Sequence, residues 1–226
     1  MSREPAAALD QGARKRLQII LDLLAEERAS VSSVVDKRAW QVHVVDSLTG
    51  LEVPELREAR RIADIGAGAG FPGLVLAVAL PQAQVDLIES VGRKCEFMHR
   101  AAAEAEIANA KVLNLRSEEL AGAEGREAYD VVTARAVGRL STLAELASPL
   151  LKPNGVLVAW KGKRDPDEER QLTAASEALA MAPAAILDVG NRAGSEHRHL
   201  HLIRKTGPAP ADLPRRPGMA KKRPRG

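Results

Sequence analysis

Apolar residues recur at spacings of three, four and seven from Ala6 to Glu27, where Leu9, Leu17, Ile20, Leu21 and Leu24 share one side. That spacing predicts an amphipathic helix. A second helical segment, Asp36–Thr49, carries Trp40, Val44, Val45 and Leu48, and Pro54 follows its end. From Arg61 the rhythm changes. Short apolar runs at Arg61–Ile65, Val85–Glu89, Lys111–Leu115, Tyr129–Thr133 and Gly155–Trp160 read as strands. Helical patterns at Gly73–Leu80, Arg93–Ala108, Leu140–Leu151 and Asp167–Leu179 are interspersed with them. Strand and helix alternating at this pace need crossover connections, which predicts an α/β fold with a mostly parallel, doubly wound sheet. Ala184–Val189 and Leu200–Arg204 follow each other with no helix between, so the sheet is expected to close with an antiparallel last strand at its edge.

Composition narrows the class. A chain of 226 residues, 45% of them hydrophobic, can bury a sizeable core, and a single cysteine excludes a disulfide framework. No basic and apolar leader opens the chain and no apolar run reaches the ~18 residues of a membrane span, so a cytoplasmic protein with no membrane partner is expected. The net charge of +3 is unevenly placed. Residues 207–226 hold six basic side chains against one acid and five of the 13 prolines, whereas the preceding 206 residues hold 27 basic against 29 acidic. Three units are therefore expected: a helical extension at 1–60, the α/β domain at 61–206, and a disordered basic tail at 207–226 with affinity for phosphate. Deleting such a tail should weaken binding of a phosphate-bearing partner and spare any cofactor.

The first strand runs into Asp64-Ile65-Gly66-Ala67-Gly68-Ala69-Gly70-Phe71-Pro72-Gly73. Alternate glycines allow a tight turn and bring main-chain amides against a ligand. Glu89 ends the second strand, where a carboxylate can accept both hydroxyls of an adenosine ribose. Gly68, Gly70 and Gly73 match the dinucleotide fingerprint, and the run from Asp64 through Gly70 matches the S-adenosylmethionine loop. An acid just before the turn suits a cationic methyl donor and opposes a pyrophosphate, which favours S-adenosylmethionine; a nicotinamide-dependent oxidoreductase stays the alternative. Arg116-Ser117-Glu118-Glu119, after the third strand, can reach an adenine edge or simply cap a helix.

With these residues the chain resembles the RsmG family, also called GidB. The resemblance rests on Asp64–Leu74, on Leu87-Ile88-Glu89-Ser90 with Arg93, Lys94 and Phe97, and on His43-Val44-Val45-Asp46-Ser47-Leu48. Ala134-Arg135-Ala136, Lys161-Gly162 and Arg198-His199-Leu200 add to it, so that it spans about Ser30 to Lys205. It implies a Rossmann-like methyltransferase that methylates N7 of a guanine in the 530 loop of 16S ribosomal RNA. It also implies a donor pocket using Gly66, Gly68, Phe71, Ser117, Glu118 and Arg135, with Glu89 at the ribose. The family's Asn-Leu-Thr element is replaced by Ser30-Val31-Ser32.

Guanine N7 carries an in-plane lone pair and no proton, so in-line methyl transfer needs no general base and no catalytic acid or base is assigned. The chain also lacks the Asn/Asp-Pro-Pro-aromatic motif of adenine amine methylation and a Pro-Cys nucleophile. Methylation of a small molecule or a protein is the other enzymatic alternative. His43, Lys161, Arg215, Arg216, Lys221 and Lys222 are the candidate RNA contacts. His197, His199 and His201 alternate as an edge strand would, without the acids or cysteines of a metal site. Five aromatic residues are too few for a base-stacking platform, and no obligate protein partner is implied.

Overall fold

The Asp10 carboxylate accepts a hydrogen bond from the Ala13 N–H at 2.7 Å, and this cap starts α1 (Gln11–Glu26). The helix buries Leu17, Ile20, Leu21, Leu23 and Leu24, the apolar side seen in the sequence. The computed structural model describes residues 9–27, 32, 34–135, 138–191, 193 and 195–225. The expected helical start at Ala6, and Ser30 and Val31, lie outside the described residues. A π-helical stretch, Trp40–Val45, runs into a single α-helical turn, α2 (Asp46–Leu48), and α3 (Pro54–Glu58) starts with proline in its first turn.

The sheet is built from β1 (Arg61–Ile65), β2 (Gln84–Ile88), β3 (Ala110–Leu113), β4 (Tyr129–Arg135), β5 (Leu151–Lys161), β6 (Met181–Asp188) and β7 (His199–Lys205). Its order is β3-β2-β1-β4-β5-β7-β6. β1 pairs in parallel with β2 and β4, and β5 with β4, whereas β7 runs antiparallel to both β5 and β6. The antiparallel strand is therefore inserted inside the sheet, and β6 takes the edge. Between the strands run α4 (Gly73–Ala79), α5 (Gly92–Glu104), α6 (Ser117–Ala121), α7 (Leu140–Ala147) and α8 (Pro166–Leu179).

Period-two alternation sorts the strand residues onto two faces. Ile62, Val131, Val156, Val158 and Trp160 join the core under α1, α4 and α5. Ala63, Val132, Ala134, Leu157 and Ala159 join the core under α7 and α8. Several boundaries differ from the sequence reading, among them the end of α5 at Glu104 rather than Ala108 and the start of β6 at Met181 rather than Ala184. α7 stops at Ala147 rather than Leu151 because Pro149, which follows the still helical Ser148, has no N–H to continue the hydrogen-bond ladder. β5 starts early, at Leu151, and its pairing with β4 is irregular between Tyr129 and Val131.

The carboxyl-terminal segment departs from the expected unfolded arm. It lies along the α6, α7 and α8 side of the sheet, buries Leu213 and Ala220, and ends in the short helix α9 (Met219–Lys222). The physical reason is that the protein supplies partners for its charges and carbonyls. Arg126 donates to the Leu213 carbonyl at 2.8 Å and the Ala209 N–H donates to Glu127 at 2.8 Å. Arg215 forms a two-pronged pair with the buried Glu145, both contacts at 2.5 Å.

Candidate active site

β1 delivers the chain into a loop in which Gly66, Gly68 and Gly70 have φ of +64°, +61° and +88°, values that L side chains resist. Glu89 fastens this loop to the end of β2. Its Oε2 accepts from the Gly68 N–H at 3.0 Å and its Oε1 from the Val91 N–H at 2.9 Å. Each oxygen keeps acceptor capacity for a further donor. At the loop's far end a Cβ on Gly73 would lie 2.1 Å from Leu87 Cδ2 and 2.8 Å from Asp64 Oδ2. Glycine there lets the Gly73 N–H donate to Asp64 at 2.9 Å, while Thr133 Oγ1 donates to the other carboxylate oxygen at 2.9 Å. Asp64 is thus a buried staple and does not line the cavity. Burial raises its pKa from 3.8 to about 7, against the lowering effect of those two hydrogen bonds.

A cavity of about 500 Å³ opens beside Gly66, with Glu89, Ser117 and Glu118 on one side and Ile65, Ile88 and Leu115 supplying apolar walls. Apolar walls for a flat base, a strand-end carboxylate with spare lone pairs and exposed main chain make a set that fits an adenosine. At Gly68 an added Cβ would meet only the Gly66 carbonyl, at 3.8 Å, so the loop's surface is open to a ligand. Four of the seven proposed donor-binding residues, Gly66, Glu89, Ser117 and Glu118, therefore line one cavity, and Gly68 is tied to it through Glu89. Ser117 also begins α6, where Glu119 accepts from the Arg116 N–H at 2.7 Å, so the capping role and the cavity role coexist.

Phe71 and Arg135 stand apart, in a cluster on the other side of the glycine loop. His43 stacks on Phe71 with ring centroids 4.5 Å apart, and the Arg135 guanidinium lies 5.7 Å from the Phe71 ring centroid. Arg135 donates to Asp46 at 3.0 Å and to the Val42 carbonyl at 2.9 Å, and Arg198 approaches the second Asp46 oxygen at 2.8 Å. One buried carboxylate answers two arginines brought from two distant segments. The His43 Nε2–H donates to the Val34 carbonyl at 2.9 Å, which leaves Nδ1 to accept from Arg135 at 3.3 Å. Burial lowers the His43 pKa, in keeping with this neutral tautomer.

The candidate RNA contacts divide. His43 is buried behind Phe71, and Arg215 is consumed by Glu145, so neither presents a free edge to RNA. Lys161 donates to the Gly138 carbonyl at 2.9 Å and to Glu168 at 2.7 Å, where β5 meets the start of α7. Arg216, Lys221 and Lys222 are exposed, and Lys221 and Lys222 border the cavity. Sequence reasoning missed the Asp46–Arg198 contact and the part played by Thr142, Leu146 and Gly218 in the cavity wall. The His-x-x-Asp spacing was the available signal for Asp46. Among the described residues no three His, Cys, Asp or Glu side chains converge on a metal site, and no helix is long and apolar enough to cross a membrane.

The family model for GidB, described as rRNA small subunit methyltransferase G, matches residues 15–200. A relative named ribosomal RNA small subunit methyltransferase G in Desulfitobacterium hafniense (strain Y51) is 35% identical over 217 residues, covering 93% of this chain and 88% of its own. The protein of the same name in Bacillus subtilis (strain 168) is 30% identical over 228 residues, covering 98% and 94%. Among solved structures, a SAM-dependent methyltransferase from Aquifex aeolicus superposes with a TM-score of 0.55 at 17% identity, covering 75% of this chain and 94% of that one. A Methanococcus jannaschii fibrillarin, a pre-rRNA processing protein, gives 0.55 at 18% identity over 69% and 70%. These two likenesses establish the Rossmann-like methyltransferase fold.

Proposed function

Because the chain belongs to the GidB family of rRNA small subunit methyltransferases G, with S-adenosylmethionine as cofactor, we propose that it methylates N7 of a guanine in the 530 loop of 16S ribosomal RNA. The observation that carries this reading is the family match over residues 15–200, which contains the glycine loop, Glu89, Arg135 and Lys161. When bound, S-adenosylmethionine supplies a methyl group on a sulfonium, open to in-line attack. Guanine N7 offers its lone pair in the base plane and carries no proton to remove. The chain's task is then alignment and exclusion of water, with no general base.

Glu89 accepts from the ribose hydroxyls and keeps the loop in register through Gly68. Ser117 and Glu118 face the adenine end of the same cavity. Arg135, held by Asp46 and the Val42 carbonyl beyond Phe71, lies outside the cavity and acts by fixing the N-terminal helices beside the loop. The rRNA backbone is met by Arg216, Lys221 and Lys222, with Lys161, Arg215 and His43 withdrawn from that role because each is already held by partners within the protein. Calorimetry with S-adenosylhomocysteine and with NAD tests the donor. Binding of the former alone is expected, and binding of NAD alone would overturn the assignment. Transfer of label from S-adenosylmethionine to small subunits isolated from cells lacking the gene tests the acceptor; label in protein alone would contradict it.

A further inference from the structure

Resting on the donor reading of the cavity, we propose that residues 213–222 are a strap that completes the methyl-donor pocket, with Arg215 and Gly218 as its positioning residues. The strap lies beyond the residues that the family model matches, which end at 200. Three contacts seat it. Arg215 pairs with Glu145, whose side chain is 3% exposed. Thr142 Oγ1 donates to the Ala220 carbonyl at 3.3 Å. The Gly218 N–H donates to Glu118 Oε1 at 2.7 Å, and Glu118 is itself a wall of the cavity.

Gly218 adopts φ +81° with open space where a Cβ would stand, so the backbone turns there to aim its N–H at Glu118. Gly218, Ala220, Lys221 and Lys222 then line the same cavity as Glu89, Ser117 and Glu118. Four of the segment's six cations fall into two groups. Arg215 is spent on Glu145, which holds the strap to the domain, and Arg225 on Asp212 within the segment and on the Ala178 carbonyl at 3.0 Å. Lys221 and Lys222 have no carboxylate partner among the described residues and stand at the cavity's rim. With the strap lifted, Glu118 is deprived of its main-chain donor and the cavity of one side.

The test uses the full chain and S-adenosylhomocysteine. Hydrogen exchange of the unaltered protein should show slowed exchange at amides in 213–222 when the ligand is added. Arg215→Ala should raise the ligand's Kd at least about tenfold, the scale of one hydrogen bond to a charged group, and Arg215→Lys should restore part of it. A purely structural anchor would lower the melting temperature without ligand-dependent protection of the strap. If strap exchange is unchanged by ligand, or if folded Arg215→Ala binds as the unaltered chain does, the proposal is overturned. Should Arg215→Ala fail to fold, the exchange measurement alone decides. Absence of any S-adenosylhomocysteine binding to the unaltered chain would instead overturn the donor reading on which the strap rests.

Discussion

Two carboxylates stand beside the glycine loop and do different work. Glu89 is at the cavity wall with lone pairs to spare, whereas Asp64 spends its oxygens on Gly73 and Thr133. For Asp64 the pKa in the fold, about 7, lies above the ordinary 3.8. The folded state therefore binds this proton more tightly than the unfolded chain does. The resulting stabilisation is fully present below about pH 3.8 and is lost as pH rises through 7. The melting temperature of the unaltered chain minus that of Asp64→Asn should accordingly fall between pH 4 and pH 8, measured by circular dichroism; a flat difference would place the charge elsewhere. Gly66→Asp should abolish S-adenosylhomocysteine binding in the folded variant, because it puts a charged side chain on the cavity wall at a φ of +64°. Retained affinity would move the pocket. Glu89 was legible in the sequence because a strand-end acid follows the loop at a known spacing. The role of Asp64 was not, since facing the donor and stapling Gly73 look alike until the Gly73–Leu87 approach is seen.

At the scale of elements, the N-terminal helices are fixed to the sheet by charge as well as by apolar packing. Asp46 on α2 meets Arg135 at the end of β4 and Arg198 just before β7, and the Trp160 indole N–H on β5 donates to the Asp46 carbonyl at 2.9 Å. Removing the carboxylate would leave two cations facing each other in a water-poor site. Asp46→Ala should therefore cost about 3–5 kcal/mol of stability, equivalent to a fall of roughly 10 °C in Tm for a chain of this size. A loss below about 1 kcal/mol would mean that solvent already compensates the pair. The alternation of strand and helix was visible from apolar period alone, because each strand feeds two buried faces. The place of β7 between β5 and β6 was not, since residues 181–205 carry no signal that tells an inserted strand from one at the edge.

For the whole molecule, the basic excess of the last twenty residues is carried by a segment that is packed against the domain and not independent of it. The hydrogen bonds that seat this segment join residues 70 and 100 positions apart, Arg215 with Glu145 and Gly218 with Glu118. A short proline-rich stretch with only Leu213 and Ala220 buried gives no local sign of such partners. Lys221→Ala with Lys222→Ala should make the slope of log affinity against log salt for small-subunit RNA shallower, by about 0.7 for each phosphate left without its cation; an unchanged slope would remove these lysines from the RNA surface. Methyl transfer to guanine N7, proposed above, is read out by borohydride–aniline cleavage of 16S ribosomal RNA from cells with and without the gene. Cleavage at a guanine of the 530 loop should appear only where the gene is present, and cleavage that persists at that guanine in its absence would contradict the assignment.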